Sequence, residues 1–152
     1  MQVTEIMTEA SVTDSAADTV RAAARRMGLQ QTGSLLIMDE NELVGIVTER
    51  DVMKAVARGL DVEHTPVSEI MTRDVSTVGP NTSLHEAARH MAARWIRHLP
   101  VVDQGRVVGV VSQRDLVGVL AALDPDPVGV ALANDELVRA RRLARIEQGD
   151  LD

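Results

Sequence analysis

One register, 64 residues long, dominates this sequence. Val3-Thr4-Glu5-Ile6-Met7-Thr8 returns as Val67-Ser68-Glu69-Ile70-Met71-Thr72, and Gly45-Ile46-Val47-Thr48-Glu49-Arg50-Asp51 returns as Gly109-Val110-Val111-Ser112-Gln113-Arg114-Asp115, both displaced by 64 positions. The same offset aligns Ala23-Ala24-Arg25 with Ala87-Ala88-Arg89 and Met27 with Met91. Across residues 3–57 and 67–121, 18 of 55 positions are identical without a gap, too long a register for coincidence. The chain is a tandem duplication followed by a tail. A repeat of this length is one supersecondary unit that needs a neighbour to bury its apolar face.

Each copy reads as mixed helix and strand. Ser83-Leu84-His85-Glu86 has the form of a capping box, and Leu84, Ala87, Ala88 and Met91 follow at helical spacing. Val20, Ala23, Ala24 and Met27 repeat that spacing in the first copy. Next come paired β-branched runs around a polar turn: Leu35–Met38 and Leu43–Val47, then Val101-Val102 and Val107–Val111. That pattern predicts a hairpin in each copy. A second helix is expected from near Asp51 and Asp115, and a short extended piece at Ser11–Thr13 and Val75–Val78. The resulting order is strand, helix, strand, strand, helix. A unit under 60 residues would leave a sheet face exposed, and packing two face to face would bury it. The expected class is α+β, with a first repeat at 1–57, a linker at 58–66, a second repeat at 67–122 and a tail at 123–152. Val130, Ala133, Leu137, Ala140 and Ala144 predict an amphipathic helix in the tail, whose arginines could dock on a second subunit or a partner.

Composition narrows the function classes. Trp95 is the sole aromatic residue, so Val, Leu, Ile, Ala and Met must build the core, and stacking platforms for nucleic-acid bases are missing. A net charge of −7 argues further against a phosphate-backbone binder. There is no cysteine, hence no disulfide, thiol nucleophile or thiolate metal site, which suits a reducing cytoplasm. No signal peptide or membrane-spanning stretch is visible, so a cytoplasmic protein with no membrane or nucleic-acid partner is expected. His64, His85, His90 and His98 have no metal-ligand spacing. No nucleophile elbow, dinucleotide glycine pattern or phosphate-loop lysine occurs, and residues 123–152 are too short for a separate enzyme, so no enzyme is expected.

The informative element is the duplicated glycine, two aliphatics, a hydroxyl residue and an Arg-Asp pair, placed where a strand gives way to a helix. Its glycine permits close approach of another backbone or a ligand. Thr48 and Ser112 could cap the helix or donate to a phosphate, Arg50 and Arg114 offer forks matching phosphate oxygens, and Asp51 and Asp115 could accept from both hydroxyls of a ribose. Pure helix capping by the hydroxyls and carboxylates is the competing explanation.

These marks, with Ile-Met-Thr opening each repeat and His98-Leu99-Pro100-Val101-Val102-Asp103 in the second, resemble a tandem pair of cystathionine-β-synthase-type (CBS) domains, the Bateman module, over residues 1–122. The resemblance implies two β-α-β-β-α repeats joined through their sheets about a pseudo-twofold axis. It also implies clefts for adenosyl ligands such as AMP, ADP, ATP, S-adenosylmethionine or NAD, and a regulatory role exerted on a partner protein, commonly as a homodimer. No cofactor is required on this reading, and Mg enters only as a companion of ATP. The rival reading is a dimerisation or interaction scaffold with empty clefts.

By that resemblance Asp51 and Asp115 would hold riboses, while Thr48 with Arg50, and Ser112 with Arg114, face phosphates. Asp51 would work with Ser76, Thr77, Arg97, His98 and Pro100, and Asp115 with Val12, Thr13, Gly33 and Ser34. Where the second repeat has Arg97, His98 and Pro100, the first has Gly33, Ser34 and Leu36, so unequal clefts are expected, with that of Asp51 the stronger.

Overall fold

The computed structural model describes residues 1–9 and 13–123. The expected tail helix and Val12 lie outside that range. In the first repeat, β1 (Thr13–Asp14) leads to α1 (Val20–Gln30), then to the hairpin β2 (Ser34–Asp39) and β3 (Glu42–Thr48), then to α2 (Glu49–Ala57). The second gives α3 (Leu84–Arg94), β4 (His98–Asp103), β5 (Arg106–Ser112) and α4 (Gln113–Leu123). One 3₁₀ turn opens each repeat, at Val3–Glu5 and Val67–Glu69.

Local chemistry explains the boundaries. Ser83 Oγ accepts from the Glu86 amide at 3.2 Å and the Ser83 amide donates to the Glu86 carboxylate at 3.0 Å, closing the capping box that starts α3. Thr19 caps α1 by accepting from the Ala22 amide at 3.2 Å. Both helices stop at a left-handed residue, Gln31 (φ 51°) and Trp95 (φ 56°), one register apart. The two hairpins share a bulge, after Ile37 and after Val101. In the second, Gln104 (φ 47°) and Gly105 (φ 80°) make a two-residue turn whose positive dihedrals match the twist of the strands. The early strand survives only in the first repeat, where β1 runs parallel to β2. The extended piece expected at Val75–Val78 reduces to a single parallel bridge from Val78 to Val101. The helices after the hairpins begin two residues earlier than expected, because Thr48 and Ser112 rather than later residues are the caps.

The opening segments are exchanged between the repeats. Thr8 and Val110 trade backbone hydrogen bonds at 2.9 and 3.0 Å, and Thr72 and Ile46 do the same at 2.9 and 3.0 Å. Val3, with no exposed surface, joins the core of Ala87, Met91, Leu99, Val101, Val111 and Leu116. Val67 joins that of Ala23, Met27, Leu35, Ile37 and Val47. Each core therefore holds one buried residue contributed by the opening segment of the other repeat. Glycine is required at the crossing points. A methyl at Gly109 would lie 2.6 Å from Met7 Sδ and 2.9 Å from the Thr8 carbonyl oxygen, and one at Gly45 2.5 Å from Met71 Sδ. Thus the Ile-Met-Thr opening of one repeat is the partner of the glycine motif of the other.

These cores occupy the helix-facing side of each sheet. On the opposite side Leu36 pairs with Ile46, and Pro100 with Val110. Leu36, Ile46 and Pro100 are buried, and β3 approaches β5. The sheets thus meet through these faces, and their apolar burial joins the halves. By backbone contacts the chain divides into Met1–Leu116, which holds both cores and both sheets, and Val117 onward. In the latter the described turns of α4 expose Val117, Leu120 and Leu123.

Candidate functional site

The expected polar residues sit at the strand–helix junctions. The Thr48 amide and hydroxyl both donate to Asp51 Oδ2, at 2.8 and 3.0 Å, and the Asp51 amide returns a bond to Thr48 Oγ1 at 3.4 Å. Ser112 and Asp115 repeat this at 2.7, 2.7 and 3.3 Å. Capping is therefore real in both copies. It uses Oδ2 of each carboxylate, and no hydrogen bond among the described residues engages Oδ1. Both carboxylates are half-buried, held by their own helix ends with one oxygen left to accept. Capping and diol recognition do not exclude one another.

The first strand residues extend the junctions. Ser34 pairs with Thr48 across β2–β3, and His98 with Ser112 across β4–β5. The Gly33 carbonyl accepts from the Glu49 amide at 3.1 Å, and the Arg97 carbonyl from the Gln113 amide at 2.8 Å. Side chains then reach between the repeats. Glu49 Oε2 stands 3.8 Å from Arg97 Nη2, and Arg50 Nη1 donates to the Trp95 carbonyl at 3.4 Å. A methyl at Gly33 would lie 2.8 Å from Glu49 Oε1 and 3.1 Å from His98 Nε2, so the space that glycine leaves is filled by these two groups.

The remaining expected residues are less tightly gathered. Pro100 is buried on the inter-sheet face, whereas Thr13, Thr77 and Arg114 are exposed. Thr13 stands opposite Leu36 and so shares the inter-sheet face. The Ser76 hydroxyl accepts from Arg94 Nη1 at 2.9 Å, and among the described residues no hydrogen bond ties Ser76 or Thr77 to Asp51. Glu49 and Arg94 are site neighbours that the motif did not single out. The signal for Glu49 was present: it is the charged member of a pair whose other copy is Gln113.

Two titratable groups are perturbed. Burial holds the His98 pKa below the usual histidine value, with Arg97 and Arg114 pushing the same way and Glu49 and Asp115 opposing. Its imidazole is therefore neutral at neutral pH, available for hydrogen bonding rather than as a cation. On the helix side of β1, Asp14 has a wholly buried side chain 3.5 Å from Arg26, and burial, then the neighbouring Asp18, raise its pKa to about 6. Among the described residues no group of His, Asp or Glu converges to hold a metal ion, and no helix is long and apolar enough to cross a membrane.

Two α+β repeats with exchanged openings, facing sheets and matched carboxylates at their strand–helix junctions define a tandem-repeat module. A family model of the CBS domain matches twice, over residues 3–58 and 67–122, and the chain belongs to that family. It is 35% identical over 133 residues to the CBS domain-containing protein YhcV of Bacillus subtilis, covering 87% of this chain and 93% of that protein. The CBS domain pair of protein MJ0100, solved in complex with 5′-methylthioadenosine and S-adenosyl-L-methionine, superposes with a TM-score of 0.76 at 30% identity, over 82% of this chain and 98% of that one. The CBS domain protein PAE2072 of Pyrobaculum aerophilum, solved with AMP, gives 0.72 at 29% identity, over 80% and 99%.

Proposed function

We infer that the chain is a regulatory sensor binding an adenosyl ligand, an adenine nucleotide first among them, in clefts between its CBS repeats. The observation that carries this is the pair Asp51 and Asp115, each fixed by its helix cap with one oxygen unspent. A ribose diol is the partner that supplies two hydroxyl donors to such a group. Structural neighbours solved with AMP, and with 5′-methylthioadenosine and S-adenosylmethionine, support the same ligand class. Thr48 with Arg50, and Ser112 with Arg114, are assigned to the phosphate side. Ser76, Thr77, Arg97, His98 and Pro100 complete the Asp51 cleft, and Val12, Thr13, Gly33 and Ser34 the cleft of Asp115. The Asp51 cleft is the stronger, because its cation and imidazole are replaced in the other by Gly33 and Ser34.

On this reading the ligand adjusts a partner protein by favouring one of two conformations of the module. A cytoplasmic homodimer is the proposed working form, and ATP would bring Mg as its companion. An interaction scaffold is the second reading, favoured by Met53 and Val56, each 62% exposed one turn apart on α2.

Thermal unfolding of the full chain against AMP, ADP, ATP, S-adenosylmethionine and NAD tests the proposal, since a bound ligand stabilises progressively with concentration. Asp51→Asn retains an oxygen for the cap but loses the anionic acceptor, and should weaken binding at least about tenfold, as loss of a charge-assisted bond does. Stabilisation by none of the five ligands would leave the scaffold standing instead.

A further inference from the structure

Two side chains converge over Gly33, the carboxylate of Glu49 and the ring of His98, and the guanidinium of Arg97 faces that carboxylate from the second repeat. Only one half of the pseudo-symmetric pair is built this way. At the matching places of the other half stand Gln113 for Glu49, Gly33 for Arg97 and Ser34 for His98. An acid and the cation it faces thus occur together once, two residues from Asp51.

We propose that Glu49 sets how many phosphates the Asp51 cleft accepts, acting as an internal anion on Arg97 that disfavours highly charged ligands. The inference rests on the adenosyl-ligand reading above and adds the determinant of phosphate number. Arg97 is the cation that Asp51's cleft offers from the second repeat, and Glu49 already faces it at 3.8 Å. That distance is long, and the side chains are 61% and 45% exposed, so the contact is weak and displaceable. A phosphate making a bidentate bond to the guanidinium outcompetes it. Displacement does not remove Glu49, however. Its backbone amide is tied to the Gly33 carbonyl at 3.1 Å, so the residue stays at the cleft and its carboxylate, even turned away from Arg97, remains within a side chain's length of the phosphate. The repulsion then grows with each added phosphate charge. His98 does not offset it, because burial and the neighbouring arginines keep the imidazole neutral. Gly33 makes the arrangement possible, since a methyl there would collide with Glu49 Oε1.

Calorimetric titration of the full chain with adenosine, AMP, ADP and ATP tests this, comparing the wild type with Glu49→Gln, Arg97→Ala and the double variant. In Glu49→Gln the affinity ratio of ATP to adenosine should rise by about tenfold at low salt, with AMP and ADP between, and the gain should shrink at high ionic strength. In the Arg97→Ala background the same substitution should move the ratio in the same direction but by a different factor, because the two groups are coupled. An unchanged ratio in Glu49→Gln, with every ligand shifted by one common factor, overturns the inference while leaving the adenosyl reading intact. Failure of all four compounds to bind the wild type overturns both.

Discussion

Placing a methyl group at Gly109 probes the exchanged architecture directly. The added Cβ would stand 2.6 Å from Met7 Sδ, 3.0 Å from Met7 Cγ and 2.9 Å from the Thr8 carbonyl oxygen. The methionine side chain can swing aside, but the carbonyl cannot move alone. It accepts from the Val110 amide at 3.0 Å, and the Thr8 amide donates back to Val110 at 2.9 Å. Overpacking of this kind costs about 1–3 kcal/mol, and weakening the flanking hydrogen bonds adds up to about 1 kcal/mol. Gly109→Ala should therefore lose about 3 kcal/mol, or roughly 6–12 °C in Tm for a chain of this size. Gly45→Ala should lose less, about 1–2 kcal/mol, because there the nearest backbone atom, the Thr72 carbonyl oxygen, is 3.2 Å away and mainly the flexible Met71 must yield. Equilibrium urea unfolding followed by far-ultraviolet circular dichroism and by Trp95 fluorescence measures both. Adding Met7→Ala to Gly109→Ala should restore part of the loss, since the residues touch. A Gly109→Ala protein within about 0.5 kcal/mol of wild type, the usual range of a neutral surface change, would refute the reasoning.

Val3→Ala and Val67→Ala should each destabilise by about 2 kcal/mol in the same unfolding assay, because both side chains are fully buried in the opposite repeat's core; a neutral Val3→Ala would deny the exchange. Thr48→Ala should cost about 1 kcal/mol through loss of the cap, and Thr48→Ser much less. Asp14 is protonated more readily folded than unfolded, so its contribution is full below the ordinary carboxylate pKa of 3.8 and is lost as pH rises through about 6. Asp18, lowered by its bond to Asp14, runs the other way and is complete above that ordinary value. Between pH 5 and 7 the Asp14 contribution falls by about 1 kcal/mol, so Asp14→Asn should flatten the stability profile across that interval; an unchanged slope in urea midpoints from pH 5 to 7 contradicts the assignment.

Much of the local structure was legible in the residues. The capping box at Ser83 and Glu86, the helical spacing of Ala87 and Met91, and the β-branched runs around Gln104-Gly105 are short-range patterns whose causes lie within a turn or two of chain. The duplicated Thr48/Asp51 and Ser112/Asp115 pairs were legible as well, both as caps and as candidate diol acceptors. The missing strand near Val75 was not, because a strand of two residues depends on its neighbour's edge more than on its own propensity.

The 64-residue register told this sequence that it is two copies of one α+β unit, since a repeated apolar pattern demands a repeated core. It could not say whose core each opening segment enters. Met7 and Met71 are equally suited to Gly45 and Gly109, and a choice between identical motifs is made only by the path of the chain in three dimensions. The tertiary structure made that choice, threading each opening across the other repeat. It also brought Glu49 to Arg97, a pair 48 residues apart whose charges meet only because two sheets face each other.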